Sequence, residues 1–388
     1  MKIVYLFPHF AHRAGTERIL IDKMNYLAEE YGYDVTMLTN EQGSHPVAFP
    51  LSDKVRRVDL DVRFYPLYEH NRLVRQALWM QRERLLSQRY NAFMAKLRPD
   101  IVVTTTYYAN LLKLVAQCPT PMVKLMESHI DRRFILSNDP INRKSWLRWL
   151  HMVKDMRTVV TCARKCNLLI ALNHSDAEDW GQFLPTTVIS NVVHLNTTGF
   201  YTTQNSKRVI FAGRFTEQKG IDDLFRIWQL VYESRPDWHL DVYGDGELRP
   251  WMEQQAENLQ CNIHIHQATH DVFECYMQSS IFVLTSRYEP FGLVIPEAMS
   301  CGLPVVSFDC PSGPPDIITD GVDGFLVRNR DVEFFATRVV QLIDSREQRL
   351  TMGRHAIASA QRYSVDLIMP RWKSLFEQLV GQENEKKG

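Results

Sequence analysis

The 388-residue sequence has no long apolar run, no Cys-x-x-Cys pair and no excess of either charge. No segment approaches the roughly 20 apolar residues that a membrane-spanning helix needs. The first residues, 1–7, form a short apolar strand without a signal-peptide cleavage pattern. The seven cysteines are scattered and odd in number, which favours free thiols in a reducing compartment. We therefore expect a cytoplasmic protein. Peripheral binding to the inner face of the membrane is compatible with this prediction.

The balanced net charge hides an uneven distribution along the chain. Residues 1–190 contain 26 Lys and Arg against 19 Asp and Glu, which is a charge of about +7, so the remainder carries about −7. The length also exceeds what one hydrophobic core usually serves. Two domains of opposite charge are therefore predicted, with the basic one facing something anionic.

Strand and helix patterns alternate through both halves, which is typical of an α/β protein with parallel sheets. The first unit comprises a strand at Lys2–Phe7, a helix from Thr16 and a strand at Val35–Thr39. Ligands of such sheets bind beyond the carboxyl ends of the strands, so the loop at Gly15 is expected at the site. Thr16 is predicted to cap the helix. A simple tight turn at Gly15 is the structural alternative.

A polar stretch rich in Thr, Asn and Ser, residues 196–207, is the predicted linker. The domains are then an N-terminal α/β unit, a C-terminal α/β unit, and a last helix with a polar tail. Their boundaries are 1–195, 196–364 and 365–388.

The second half is organised around residues 281–309, which combine a strand, an exposed turn, a helix start and another strand. Because proline is tolerated only in the first turn of a helix, Pro296 predicts that the helix begins near Gly292; it ends at Gly302. The N–H groups of residues 291–294 would then be free to bind an anion. Glu289 and Glu297 lie on either side of this start. Two solvated glutamates in an ordinary strand–helix unit are the alternative.

A glycine-bounded loop, residues 213–220, follows the strand at Arg208–Ala212. Its two basic residues, Arg214 and Lys219, suit a diphosphate, whose charge they balance while the glycine backbone comes close. A solvated loop with two ordinary basic residues is the alternative.

Polar residues Glu127, Ser128 and His129 follow a predicted strand at 122–126 and therefore belong to the same edge of the first sheet. His129 is a candidate for holding a sugar hydroxyl or a proton near neutral pH. A structural histidine is the alternative.

Residues 71–98 form a predicted long helix that combines basic and apolar side chains. Such a helix can lie on an anionic membrane surface, or its charges can simply be solvated. Nothing in the sequence indicates nucleic-acid recognition, because the motifs point to a small ligand.

Several of these motifs together resemble the retaining glycosyltransferases of family 4, which have the two-domain GT-B architecture. The resemblance rests on an ordered series in the second half: Gly213-Arg214, Lys219-Gly220, Glu289-x7-Glu297-Ala298, Gly302-x-Pro304-Val305 and Asp320-Gly-x-x-Gly324. In the first half, Ala14-Gly15-Thr16-Glu17 is similar to a family loop that usually has two glycines. The expected fold is α/β, with two Rossmann-like, doubly wound domains facing each other across a cleft and a terminal helix that crosses back to the first domain. The resemblance implies that the first domain, residues 1–195, binds the acceptor and that the second, residues 196–364, binds the nucleotide sugar.

The resemblance also implies roles for individual residues. Arg214 and Lys219, beside Gly213, would bind the donor diphosphate, and Glu297 would hold the ribose hydroxyls. Glu289 would face the donor sugar. The amides of Phe291, Gly292 and Leu293 would bind sugar hydroxyls or phosphate, and Glu127 and His129 would lie near sugar and acceptor.

The predicted function is a retaining glycosyltransferase that moves a hexosyl or N-acetylhexosaminyl unit from a UDP-sugar. The acceptor would be a saccharide or lipid-linked saccharide in surface polysaccharide synthesis. No metal or other cofactor is expected, because Arg214, Lys219 and the helix start supply positive charge for the departing diphosphate. A nucleotide-sugar epimerase, a sugar phosphorylase and a non-catalytic nucleotide-sugar-binding protein are the alternatives; a phosphorylase would need a pyridoxal-binding lysine, for which no motif is found.

Overall fold

The structure is a computed structural model, and it describes residues 1–12, 14–69, 71–106, 108–132, 156–269 and 271–385. The chain forms two compact units. Unit 1 comprises Met1–Ile189 with Met369–Gly388, and unit 2 comprises Ser190–Ile368. The division at Ile189 lies shortly before the predicted boundary at residue 195.

Unit 1 contains a seven-stranded, entirely parallel sheet in the order β3-β2-β1-β4-β5-β6-β7. Its strands are β1 (Lys2–Leu6), β2 (Asp34–Thr39), β3 (Arg56–Asp59), β4 (Ile101–Thr105), β5 (Val123–Ser128), β6 (Leu168–Ala171) and β7 (Thr186–Val188). Its helices include α1 (Gly15–Glu29), α2 (Arg72–Leu97), α3 (Ala109–Gln117) and α4 (His174–Gly181). The central strands β1, β4 and β5 are buried nearly throughout, which matches the apolar runs of β1 and β4; β5 also contains Lys124, Glu127 and Ser128.

Unit 2 contains a six-stranded parallel sheet in the order β10-β9-β8-β11-β12-β13. Its strands are β8 (Arg208–Ala212), β9 (His239–Tyr243), β10 (Ile263–His266), β11 (Ile281–Leu284), β12 (Val305–Asp309) and β13 (Gly324–Arg328). Its helices are α5 (Ile221–Ser234), α6 (Arg249–Leu259), α7 (Val272–Met277), α8 (Val294–Ser300), α9 (Pro314–Ile317), α10 (Val332–Asp344) and α11 (Arg346–Ala360). The predicted α/β class with two doubly wound parallel sheets is confirmed.

The last helix, α12 (Val365–Glu385), contributes residues to both units, because the division falls between Ile368 and Met369. Its apolar face is buried through Ile368, Met369, Trp372 and Phe376. Pro370 lies inside the helix and cannot donate the usual backbone hydrogen bond there. The chain therefore passes from one unit to the other twice, at 189–190 and at 368–369.

All seven cysteines are free, and six of them are buried. Cys162 and Cys166 belong to the hydrophobic core of unit 1, as packing residues. None of the helices in the described ranges is long and apolar enough to cross a membrane.

Candidate active site

Three neighbouring strands of unit 2 end at one edge of the sheet and bring the predicted donor residues together. β8 pairs with β11, and β11 pairs with β12, all in parallel. The strand order reverses direction between β8 and β11, since β9 and β10 lie on one side of β8 and β11 to β13 lie on the other. Ligands of doubly wound sheets bind beyond such a switch point.

A buried ion pair occupies this switch point. Lys219, which follows β8, places Nζ 2.5 Å from Oε2 of Glu289, which follows β11. The two residues are only 8% and 7% exposed. The hydroxyl of Ser286 donates to the same carboxylate oxygen at 3.1 Å. The structure thus joins two residues that lie 70 positions apart in the chain.

Backbone and side-chain hydrogen bonds lock the two loops that carry this pair. The N–H of Arg287 donates to the carbonyl of Gln218 at 2.8 Å, and Thr285 Oγ1 donates to the carbonyl of Lys219 at 2.9 Å. Gly220 has a φ of +61°, and a Cβ at this position would overlap the carbonyl oxygen of Thr285. Only glycine fits this close approach, so the short 3-10 turn Glu217–Lys219 is held against the end of β11.

The helix after Glu289 differs in extent from the prediction. α8 begins at Val294, not at Gly292, and has seven residues, so its dipole is small. Gly292 precedes it with a φ of +89° and forms part of the turn. Within the described ranges, the N–H groups of Phe291, Gly292, Leu293 and Val294 have no hydrogen-bond acceptor. The amides that the sequence predicts as anion-binding groups therefore have no acceptor in the described part of the chain. Those of residues 291–293 belong to the turn before α8 and not to the first turn of the helix.

Arg214 differs from Lys219 in its surroundings. It is exposed, and its guanidinium has no ion-pair or hydrogen-bond partner in the described part of the chain. Gly213, the residue before Arg214, lies with its backbone close to the Lys219 side chain. A Cβ at position 213 would be 3.6 Å from Lys219 Cε. Because Glu289 already neutralises Lys219, Arg214 is the uncompensated positive charge at these strand ends.

Glu297 is half-buried in the first turn of α8. Burial raises the pKa of Tyr276 well above its usual value, and the negative charge of Glu297 adds to this effect. Its proposed contact with a ribose stays a prediction.

In unit 1, Glu127 and His129 do come together, but inside the protein. Glu127 Oε2 lies 3.1 Å from His129 Nε2 and 2.7 Å from Lys23 Nζ, and all three residues are at most 5% exposed. Burial by itself would raise the pKa of Glu127, but Lys23 and His129 lower it to about 2. Lys23 also lies over the Trp372 ring, 3.7 Å from its centroid. This arrangement binds α1, β5 and α12 to one another.

Two expectations at the start of α1 are wrong. Thr16 does not cap the helix, because α1 begins at Gly15 and its N-cap residue is Ala14, without a side-chain hydrogen bond. Gly15 accordingly belongs to the first turn rather than to the preceding loop. Gly15 is exposed and Thr16 is half-buried, and their contact with a substrate stays a prediction.

One Asp-x-Asp triplet bears on the expected metal independence. Such a triplet is the usual metal–diphosphate signature of the other large glycosyltransferase architecture, and this chain contains Asp59-Leu60-Asp61. Asp59 ends the edge strand β3, where its carboxylate accepts hydrogen bonds from Thr39 Oγ1 at 3.2 Å and Gly43 N–H at 2.8 Å. The expectation that no metal is needed therefore rests on Arg214, Lys219 and the amides of residues 291–294, and not on the absence of an Asp-x-Asp triplet; it stays a prediction.

Asp176 is a buried acid that the sequence pattern did not single out. It lies in the first turn of α4, after β6, and is 2% exposed. Its Oδ1 accepts from the Arg132 N–H at 3.1 Å, whereas Oδ2 is buried and has no hydrogen-bond partner within the described ranges. Burial, together with the charge of Asp131, raises the pKa of Asp176 to about 7. A lone Asp in a helix start gives no sequence signal for such burial.

Comparisons with known proteins identify what the chain is similar to. Residues 206–345 match the family model described as glycosyl transferases group 1. An uncharacterised glycosyltransferase of Haemophilus influenzae is 24% identical over 96% of this chain and 99% of its own length. The amylovoran biosynthesis glycosyltransferase AmsD of Erwinia amylovora is 25% identical, with the same coverage. A TarM mutant of S. aureus, crystallised with Fondaparinux, alpha-GlcNAc-glycerol and UDP, superimposes with a TM-score of 0.76 at 16% identity, over 97% of this chain and 99% of that one.

The protein is therefore an enzyme of the glycosyltransferase class. More specifically, the region of unit 2 that matches the glycosyl transferases group 1 model includes both residues of the Lys219–Glu289 pair. The expected GT-B architecture is confirmed by the structural likeness. The narrower assignment to family 4 stays a prediction.

The raised pKa of Asp176 predicts a specific pH dependence of stability. The folded state keeps a proton that the unfolded chain releases, so the free energy of unfolding falls as pH rises from about 4 to about 7. The slope is at most about 1.4 kcal/mol per pH unit. In Asp176→Asn, whose Oδ1 still accepts from Arg132, this contribution disappears.

Urea unfolding at a series of pH values between about 4 and 8 measures the effect, with the exposed Asp53→Asn as the matched control. Asp176→Asn should gain stability relative to wild type towards the upper end of this range, and Asp53→Asn should not. If the free energies of unfolding of all three proteins changed with pH in parallel, the pKa of Asp176 would not be raised in the folded state.

Proposed function

We propose that the enzyme is a retaining, metal-independent glycosyltransferase that uses a nucleotide diphosphosugar, with UDP as the nucleotide. The Lys219–Glu289 pair at the switch point of unit 2 carries this proposal. It places one cation and one carboxylate where a diphosphate and the sugar attached to it would meet. Retention of the anomeric configuration is proposed from the resemblance to family 4.

Each group has a role in this scheme. Negative charge builds up on the departing diphosphate, so stabilising that charge lowers the barrier. Arg214 is free to bind the diphosphate, and the amides of residues 291–294 add hydrogen-bond donors. Lys219 exchanges part of its contact with Glu289 for the phosphate oxygens. Glu289 then faces the sugar, and Glu297 holds the ribose.

The transferred unit is proposed to be a hexosyl or N-acetylhexosaminyl group, and the acceptor a saccharide or lipid-linked saccharide in surface polysaccharide synthesis. AmsD is named for amylovoran biosynthesis, and the TarM mutant was crystallised with UDP and a GlcNAc-glycerol. Both relatives cover almost the whole chain, which supports the same class of reaction here.

A panel of nucleotides and nucleotide sugars in a thermal-shift assay tests the donor. A ligand that binds only the folded protein raises the melting temperature, and at 100 times its Kd it adds about 2.7 kcal/mol to the stability. We expect UDP and one UDP-sugar to give the largest shifts, also in the presence of EDTA. Larger shifts with purine nucleotides, or shifts only with added metal, would contradict the proposal.

Arg214→Ala should weaken UDP binding without changing the fold. Losing hydrogen bonds to a charged group costs about 1.5–3 kcal/mol, which corresponds to roughly 10–100-fold in Kd. The melting temperature without ligand should stay that of wild type, because the side chain is exposed and unpaired in the described ranges. Calorimetric titration with UDP measures this, and Arg354→Ala, an exposed arginine on α11, is the control. Equal losses in both variants would exclude a specific role for Arg214.

Glu289→Gln separates turnover from donor binding. Glutamine keeps an oxygen acceptor for Lys219 and Ser286 but removes the negative charge. We expect UDP affinity within a few-fold of wild type and turnover reduced on the order of 100-fold or more. Glu257→Gln, an exposed residue of α6, should have wild-type turnover. Conversion of one UDP-sugar into its epimer in the absence of any acceptor would favour the epimerase alternative.

Peripheral membrane contact is proposed for α2. Three apolar side chains near its start are exposed, namely Leu73, Val74 and Met80 at 80%, 43% and 51%. Leu73, Met80 and Arg84 are spaced at seven and four residues and so share one face. A groove of about 250 Å³ beside them is lined by Arg84 and Lys113 together with one acidic residue, Glu83. Apolar anchors next to basic residues are typical of helices that bind anionic lipid.

Vesicle flotation tests this contact with phosphatidylglycerol and with phosphatidylcholine. The wild type should float with the anionic vesicles only, and a variant combining Leu73→Ser with Met80→Ser should not. Phe200→Ser removes an equally exposed apolar side chain from unit 2 and should float like wild type. Equal flotation with both lipids, or none, would contradict an anionic membrane partner.

A further inference from the structure

The edge of the unit 2 sheet carries a cluster of two histidines and one aspartate that the transfer reaction does not use. β10 is the edge strand and pairs in parallel with β9, with His264 opposite Asp241 and His266 opposite Tyr243. Because side chains alternate along a strand, His264 and His266 emerge on the same face. Asp241 projects on that face too, since its carboxylate contacts both rings.

The three side chains converge on one point. Asp241 Oδ1 lies 2.9 Å from His266 Nε2 and 3.4 Å from His264 Nδ1, and all three ligand atoms lie within 4.8 Å of one another. Asp241 is 2% exposed, whereas the two imidazole side chains are 51% and 38% exposed. A buried carboxylate is thus in contact with two partly exposed imidazole rings.

We propose that Asp241, His264 and His266 bind a single divalent transition-metal ion of the zinc type. Zinc holds imidazole nitrogen and carboxylate oxygen at about 2.0–2.2 Å in a tetrahedron, so its ligand atoms are about 3.3 Å apart. The two separations from Asp241 Oδ1, 2.9 and 3.4 Å, bracket this value, and the two histidine nitrogens lie within 4.8 Å of each other. Imidazole with one carboxylate selects zinc, nickel, cobalt or copper over magnesium and calcium. Water would complete the coordination on the exposed side.

Neighbouring residues hold the ligands in place. Tyr243 stacks on the His266 ring, with centroids 4.3 Å apart and planes 14° apart. Arg208 Nη1 lies 3.7 Å from Asp241 Oδ2, the carboxylate oxygen that does not face the histidines. Groups of this kind fix the orientation of metal ligands. The metal would replace the hydrogen bond that His266 shares with Asp241.

A metal at this place would connect the edge strand to the donor-side loops. β9 continues into the turn Gly244–Gly246, and the N–H of Phe215 donates to the carbonyl of Asp245 at 2.8 Å. Phe215 follows Arg214 directly. An ion that links β10 to β9 would therefore stabilise β9, whose following turn is hydrogen-bonded to the loop that contains Arg214. The role is structural and is separate from the proposed metal-free chemistry.

Metal titration of the full chain tests the site. Protein without a histidine tag is stripped with EDTA, dialysed and titrated with Co²⁺, whose visible d–d absorption reports ordered coordination; Zn²⁺ is then added in a thermal-shift assay. We expect one bound Co²⁺ per chain, displacement by Zn²⁺ and a raised melting temperature. His264→Ala and His266→Ala should each weaken binding by more than about tenfold.

His355→Ala, an exposed histidine of α11, is the matched control and should bind like wild type. His264 is exposed and His266 is half-buried, so circular dichroism of each variant checks that the fold is kept; His264→Gln provides a second, milder change at the exposed position. Absence of bound Co²⁺ in the wild type, or equal affinity in wild type and both ligand variants, would overturn the proposal.

Discussion

The buried ion pair between Lys219 and Glu289 is the interaction on which the architecture of unit 2 depends. Both charges are removed from water, which is favourable only when geometry and extra hydrogen bonds compensate for lost hydration. The Ser286 hydroxyl supplies one such bond, and the contact of Gly220 with Thr285 lets the two loops approach. The sheet topology explains why these loops meet, since they follow the two strands that flank the switch point.

The two units use buried charge differently. In unit 1, Glu127 is surrounded by Lys23 and His129 and stays ionised at any physiological pH. In unit 2, Arg214 remains exposed beside the neutralised Lys219–Glu289 pair. A closed cluster stabilises a fold, whereas a neutralised pair with a free cation beside it can rearrange around an anion. This contrast explains why the donor is assigned to unit 2.

Much of the fold could be predicted because buried parallel strands are continuous apolar runs: the predicted strands at 101–105 and 208–212 agree with the structure. β3 could not be predicted, since the strand Arg56–Asp59 is charged and lies at the sheet edge. Motif residues Lys219 and Glu289 were identified individually, but their pairing depends on strand order, which residue types do not reveal. Lys23 was not identified at all, because a lysine on a helix is usually solvated.

The second passage of the chain between the units sets the order in which the protein can be completed. Unit 1 includes residues 369–388, and Trp372 covers the ammonium group of Lys23. These residues leave the ribosome only after all of unit 2 has been synthesised. During synthesis, unit 1 therefore lacks the part of α12 that covers Lys23 until unit 2 is complete. A fragment that stops at Ile189 lacks this helix altogether. Domains that are continuous in sequence can fold one after the other during synthesis, but here the first unit to be made is the last to be finished.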